Sequence, residues 1–159
     1  MLEEFYLTKG VGSLFLYHLD IENDSDRVLK EGLNHSTATK WYSSSGKLFA
    51  EIDCFRPAHL PKWIDFKVAF GAHLEPFEKP YFQFPMFSDK ILVFNLDISS
   101  ELFAYLYEDV KGLPSKEDLV KQYWESMLTL EEFLRYKPFN NPEIFIFEAV
   151  PAILIEYIE

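Results

Sequence analysis

Glu143 has the most specific chemical setting in this chain. It directly follows Pro142 and opens the run Ile144-Phe145-Ile146-Phe147, so its carboxyl stands at the mouth of an otherwise apolar strand. A carboxylate so placed is partly desolvated and held on a rigid element, where a fixed negative charge can stabilise a developing cation or take up a proton. Near the other end, Leu16-Tyr17-His18-Leu19-Asp20 carries a phenol and an imidazole on a short apolar run ahead of a polar loop. The remaining reactive groups are scattered. His18, His35, His59 and His73 are scattered, His73 has same-face strand spacing with Glu75, and no metal site is expected. Cys54 is the only cysteine, so an intramolecular disulfide and a cysteine zinc cluster are excluded, and it reads as a small buried hydrophobe although His59 lies nearby in sequence. Adjacent acids such as Glu117-Asp118 and Glu131-Glu132 read as first-turn helix charges. A phosphate-binding Gly-rich loop, G-x-G-x-x-G, G-x-S-x-G and H-E-x-x-H are all missing from the sequence.

The elements that must carry these groups can be read from hydrophobic period and punctuation. Leu14-Phe15-Leu16-Tyr17 reads as a buried strand. A turn from Asp20 to Ser25 follows, then a helix capped by Asn23, Asp24 or Ser25, carrying Val28 and Leu29 inward and stopped by Gly32. Residues 48–52 suggest a strand, Pro57 and Pro61 break their surroundings, and residues 66–70 alternate as a half-buried strand. Gly71 and the prolines Pro76, Pro80 and Pro85 predict a long functional loop or irregular crossover. Residues 91–98 predict a central strand, and helices are expected over 101–109, 116–127 and 130–136, the last two opening on near capping boxes. Leu119, Val120, Tyr123, Trp124 and Met127 form the inward face of the second of these helices. Strands over 143–149 and 153–158 close the chain, separated by Pro151. Strands, then helices, then strands indicate a mixed α+β fold, not a doubly wound parallel sheet. No repeat or linker divides the sequence, so residues 1–159 are expected to form a single domain.

The 159 residues suffice for one sizeable core. The net charge is −11, and residues 101–159 carry −7 of it, with 12 acids against 5 bases, so a broad basic surface for nucleic-acid phosphate is not expected. The apolar runs fall far short of the roughly 20 residues that cross a bilayer, so no membrane association is expected. The acidic start Met1-Leu2-Glu3-Glu4 does not read as a secretory signal, and a cytoplasmic location is the expectation.

Tyr17-His18, a polar loop and a short helix closed by Gly32-Leu33, together with Glu143 to Phe147, Val150-Pro151 and Ile158, resemble the ADP-ribosyltransferase-like superfamily. The likeness is to bacterial members related to the DarT-type DNA-targeting toxins and the transfer-RNA 2′-phosphotransferases, and it covers the two ends, about a third of the chain. The resemblance implies a pair of small sheets gripping NAD in a cleft. It implies that His18 hydrogen-bonds the adenosine ribose and that Glu143 bonds the 2′-OH of the nicotinamide ribose while stabilising the oxocarbenium-like charge left by departing nicotinamide. An aromatic would stack on nicotinamide, with Tyr17, Trp41, Tyr42, Phe70 and Tyr81 as candidates, and Arg56 could meet the pyrophosphate. The acceptor of ADP-ribose would be a protein or nucleic acid. The chain departs from the pattern at Asp20, where many relatives carry a threonine two residues after the histidine.

The acidity supports a different class of function, a non-catalytic interaction or inhibitor protein that offers an acidic face to a basic partner. On that reading Glu143 is dispensable, and Glu108, Asp109, Glu117 and Asp118 carry the interaction.

Overall fold

Strand β1 (Phe15–Leu19) buries Leu16 and His18 and leaves Phe15, Tyr17 and Leu19 half-buried, the period of two of a strand with one face in a core. The structure is a computed structural model that describes residues 14–20, 24–38, 46–76, 78–107 and 115–159. Helix α1 (Ser25–Glu31) follows without a side-chain cap from Asp24; instead the Asp24 amide donates to Asp20 Oδ1 at 3.3 Å. Only Val28 of α1 is buried, and Leu29, expected inward, is 41% exposed because it points about 100° further round the helix. Gly32 ends the helix with φ 86°, and a Cβ there would lie 2.3 Å from the Val150 carbonyl oxygen, so only glycine fits.

Residues 48–52, expected as a strand, belong instead to helix α2 (Gly46–Cys54). Leu48, Phe49 and Ile52 are buried at helical spacing while Ala50, the middle of the apparent alternation, is exposed. Cys54 ends this helix exposed, correcting the expectation of a buried residue. Phe66 to Val68 form a turn rather than a strand, and strand β2 is Phe70–Ala72. The proline-rich segment is also more regular than expected. It contains β3 (Tyr81–Pro85), the central strand of a sheet, which buries Phe82 and Phe84.

Strand β4 (Ile91–Asn95) is buried on both faces, as a central strand should be. It stops at Asn95, whose Oδ1 accepts from the Asp97 amide at 3.0 Å and turns the chain directly into α3 (Leu96–Tyr107), five residues before the expected start. Helix α4 (Lys116–Glu125) is capped by Ser115, which accepts from the Asp118 amide. After β5 (Leu128–Thr129), α5 (Leu130–Tyr136) opens on a complete capping box between Thr129 and Glu132. Strand β6 (Pro142–Ile146) follows, then a 3₁₀ turn (Ala152–Leu154) that shortens the last expected strand to β7 (Glu156–Ile158).

The strands form two small antiparallel sheets in an α+β fold. One has the order β1-β3-β7 and the other β2-β6-β4-β5. They meet where Tyr17 and His73 exchange two backbone hydrogen bonds of 2.9 Å. Alternate residues of the four-stranded sheet feed two cores. Phe70, Ala72, Ile91, Val93, Ile144 and Ile146 pack toward Leu16, Phe82 and Phe84 of the other sheet, with α1 and α5 contributing Val28, Leu130 and Phe133. Leu92, Phe94, Phe145 and Phe147 pack on the opposite side against α2, α3 and α4. Among the described residues no helix is long and apolar enough to cross a membrane.

Candidate functional site

Glu143 is the second residue of β6 and the cross-strand partner of Phe94 in β4. Pro142 occupies the first strand position, where its missing N–H leaves no gap in the central ladder. Alternation turns Glu143 to the same side as Phe145 and Phe147, toward the helices, while Ile144 and Ile146 face the other sheet. There its carboxyl meets two hydroxyls. The Tyr123 hydroxyl of α4 donates to Oε1, and Ser99 Oγ of α3 lies 3.3 Å from Oε2. Tyr123 is fully buried, its ring stacked on Phe94 with centroids 4.8 Å apart and planes within 10°. A buried phenol requires a hydrogen-bond partner, and Glu143 is that partner.

Burial raises the Glu143 carboxyl from 4.5 to about 7, against the opposing effect of the Tyr123 and Ser99 hydrogen bonds. Burial also pushes the Tyr123 phenol well above its ordinary range, with the neighbouring Glu143 adding to the shift. The pair is therefore a neutral phenol donating to a carboxyl that changes charge near neutral pH. Polar groups gather where β4 ends and β6 begins. The Asn141 side chain donates to Asp97 Oδ1, Leu96 N donates to the Asn141 carbonyl, and Asn95 N donates to Ser126 Oγ, at 3.0, 2.9 and 3.0 Å.

In the bridge between the sheets Tyr17 opposes His73, which follows Ala72, the last residue of β2 and the partner of Ile144 in β6. Tyr81 joins Tyr17 edge to face at 5.7 Å. Partial desolvation by its neighbours lowers the proton affinity of the His73 imidazole, although the residue itself is exposed.

The other residues singled out in the sequence lie elsewhere. His18 is 5% exposed and faces the core between the sheets, its ring against Phe70 and Phe82 and its Nδ1 2.8 Å from the Gly71 carbonyl oxygen. His18 thus faces the core between the sheets, whereas Glu143 is turned to the opposite side of its sheet, toward Tyr123 and Ser99 of the helices. Phe70 is 2% exposed in the same core, with no open face for a ligand ring. The Arg56 guanidinium donates to the carbonyls of Pro61 and Ile64 and lies over Trp124 at 5.8 Å, so it ties down the loop after α2. Tyr42 and Trp41 fall outside the described residues, as do Glu108 and Asp109. Glu117 pairs with Lys121 at 3.1 Å on the exposed side of α4. Among the described residues no group of three or more His, Cys, Asp or Glu is disposed to hold a metal ion.

Sequence reasoning located Glu143 but missed both of its partners. Tyr123 reads as one more member of the apolar face of α4, and Ser99 falls between the strand expected over 91–98 and the helix expected from 101. A polar hydroxyl on the inward face of each helix is the signal that could have found them. Comparison of the chain with protein-family models, curated proteins and solved structures finds no match.

Proposed function

We propose that this chain is an ADP-ribosyltransferase-like protein that cleaves the nicotinamide–ribose bond of NAD and passes ADP-ribose to a macromolecular acceptor, with Glu143 as its catalytic carboxylate. The setting of Glu143 carries the reading: a largely desolvated carboxyl with proton affinity near neutrality, anchored at the mouth of a central strand and held by two hydroxyls. The meeting of the two chain ends that bear the resemblance supports it as well. Leu33 and Val150 exchange backbone hydrogen bonds of 3.1 and 2.8 Å, and the two small sheets are joined by the Tyr17–His73 bridge.

In this reading nicotinamide leaves with the bonding pair of the C–N bond, and the ribose carbon carries the resulting positive charge. The ionised Glu143 opposes that charge from a fixed position, where low dielectric makes it more effective than in water. The acceptor nucleophile then bonds to the ribose carbon and loses its proton to Glu143 or to solvent. Because the ionised form is required, nicotinamide release should rise with pH through about 7. The test is nicotinamide release from labelled NAD, with and without cell lysate, by the native chain and a Glu143→Gln variant of matched thermal stability. Release that falls on the order of 100-fold or more in the variant is the expected result.

One observation favours a second reading, a non-catalytic acidic protein that binds a basic partner. His18, which the resemblance matches to the ribose-binding histidine, faces the core on the other side of the sheet from Glu143. Absence of both NAD binding and nicotinamide release in the native chain selects this reading. In that case charge reversal at Glu117 and Asp118 should weaken capture of basic proteins while Glu143→Gln leaves it intact.

A further inference from the structure

We infer that Tyr123 and Ser99 are positioning residues of the Glu143 site, Tyr123 as a fixed hydrogen-bond donor and Ser99 as a hydroxyl that reorients when Glu143 gains or loses its proton. The inference rests on the reading of Glu143 as the catalytic carboxylate and deepens it.

The hydrogen inventory of the three groups leads to this assignment. Tyr123 Oη has one hydrogen, and the stacking of its ring on Phe94 aims that hydrogen at Glu143 Oε1. Ser99 Oγ, on a 3% exposed residue, lies 3.0 Å from the Leu96 carbonyl oxygen and 3.3 Å from Glu143 Oε2. Its single hydrogen can serve only one of them at a time. When Glu143 is protonated, Oε2–H donates to Ser99 Oγ, which donates onward to Leu96, while Tyr123 donates to Oε1, so every polar atom in the chain of bonds is satisfied. When Glu143 is ionised, the Ser99 hydroxyl turns to Oε2 and both carboxylate oxygens accept a hydrogen bond. The α-helical Leu96 carbonyl gives up only its extra bond. Both charge states thus keep the same rotamer of Glu143, which is what a carboxylate needs in order to act from a fixed place.

Other charges do not account for the arrangement. Of the titratable groups on the packed elements, Asp97 at the start of α3 accepts from the Asn141 side chain. Glu101 of α3 and Glu117, Asp118, Lys121 and Glu125 of α4 are exposed, and Lys116 pairs with Glu51 at 3.2 Å. β4 contributes Phe94 and Asn95, and His73 lies one register step past β2. Burial and the two hydroxyl bonds set the carboxyl's proton affinity, burial raising it and the bonds lowering it.

The test follows the Glu143 carboxyl directly by carbon-13 NMR in glutamate-labelled protein, its resonance assigned by loss in Glu143→Gln, alongside the pH profile of nicotinamide release. Tyr123→Phe, which keeps the ring and the stacking, should move the carboxyl midpoint and the acid limb of the rate profile upward together by about one pH unit, a roughly tenfold loss of rate below the limb. Ser99→Ala should move both in the same direction, and Ser99→Thr, which restores a hydroxyl, should return them. Unmoved midpoints in both Tyr123→Phe and Ser99→Ala overturn the inference whatever the activity. Midpoints that move in a chain whose native form releases no nicotinamide at any pH support the hydrogen-bonded assembly and overturn the transferase reading.

Discussion

Glu143 couples the stability of the protein to pH as well as offering it a reactive group. Its carboxyl is raised by burial from 4.5 to about 7, so the folded state holds its proton over a range in which the unfolded chain has released it. A raised carboxyl contributes stability that is fully present below about 4.5 and is lost as pH rises through about 7. The difference across that window is on the order of 3 kcal/mol. Urea denaturation of native and Glu143→Gln proteins between pH 4 and 8 checks this. The native stability should fall relative to that of the variant as pH rises, because glutamine cannot ionise. Curves that run parallel at every pH would show that Glu143 titrates alike in the folded and unfolded chain.

The helices and strands show where local signals suffice. Helix α5 is legible from the sequence because Thr129 and Glu132 satisfy each other's backbone donors within four residues, and the structure contains both bonds. Thr129→Ala should therefore cost about 1 kcal/mol, read as a lower denaturation midpoint with an unchanged slope. Residues 48–52 mislead for the converse reason. Five residues with apolar side chains at alternate positions suit a strand, but Leu48, Phe49 and Ile52 also suit one face of a helix, and contact with Phe66 and Phe145 selects the helix. Strand β3 was hidden by the flanking Pro80 and Pro85, which sit just before the strand and at its last position, where the ladder tolerates them.

On the scale of the whole molecule, the two ends of the chain are sewn together. Gly32-Leu33 meets Val150, and Tyr157 of β7 donates to Asp20 at 3.0 Å, so the loop after β1 is tied to the last strand. The seam depends on Gly32, whose positive φ and close approach to the Val150 carbonyl leave no room for a side chain. Gly32→Ala should destabilise the protein by about 2 kcal/mol or more, with hydrogen exchange quickening at Leu33 and Val150 amides before the β4 amides. Simultaneous quickening throughout would mean that the seam opens only with global unfolding.

Much of this protein was determined locally. The α+β class, the capped helices α4 and α5, the Gly32 stop and the position of Glu143 at a strand mouth all follow from signals a few residues long, because caps, turns and side-chain alternation are short-range physics. The partners of Glu143 were not determined in that way. Tyr123 and Ser99 lie 20 and 44 residues from it in sequence. Packing of α3 and α4 against the sheet brings their hydroxyls to one carboxyl. The face occupied by His18 was settled by the same means. The residue type and the strand were readable, but which side of β1 becomes core depends on the Tyr17–His73 bridge and on Phe70 and Phe82, contributed by strands more than 50 residues away. A one-residue change of register would exchange the two faces, and only the closure of the sheets selects between them.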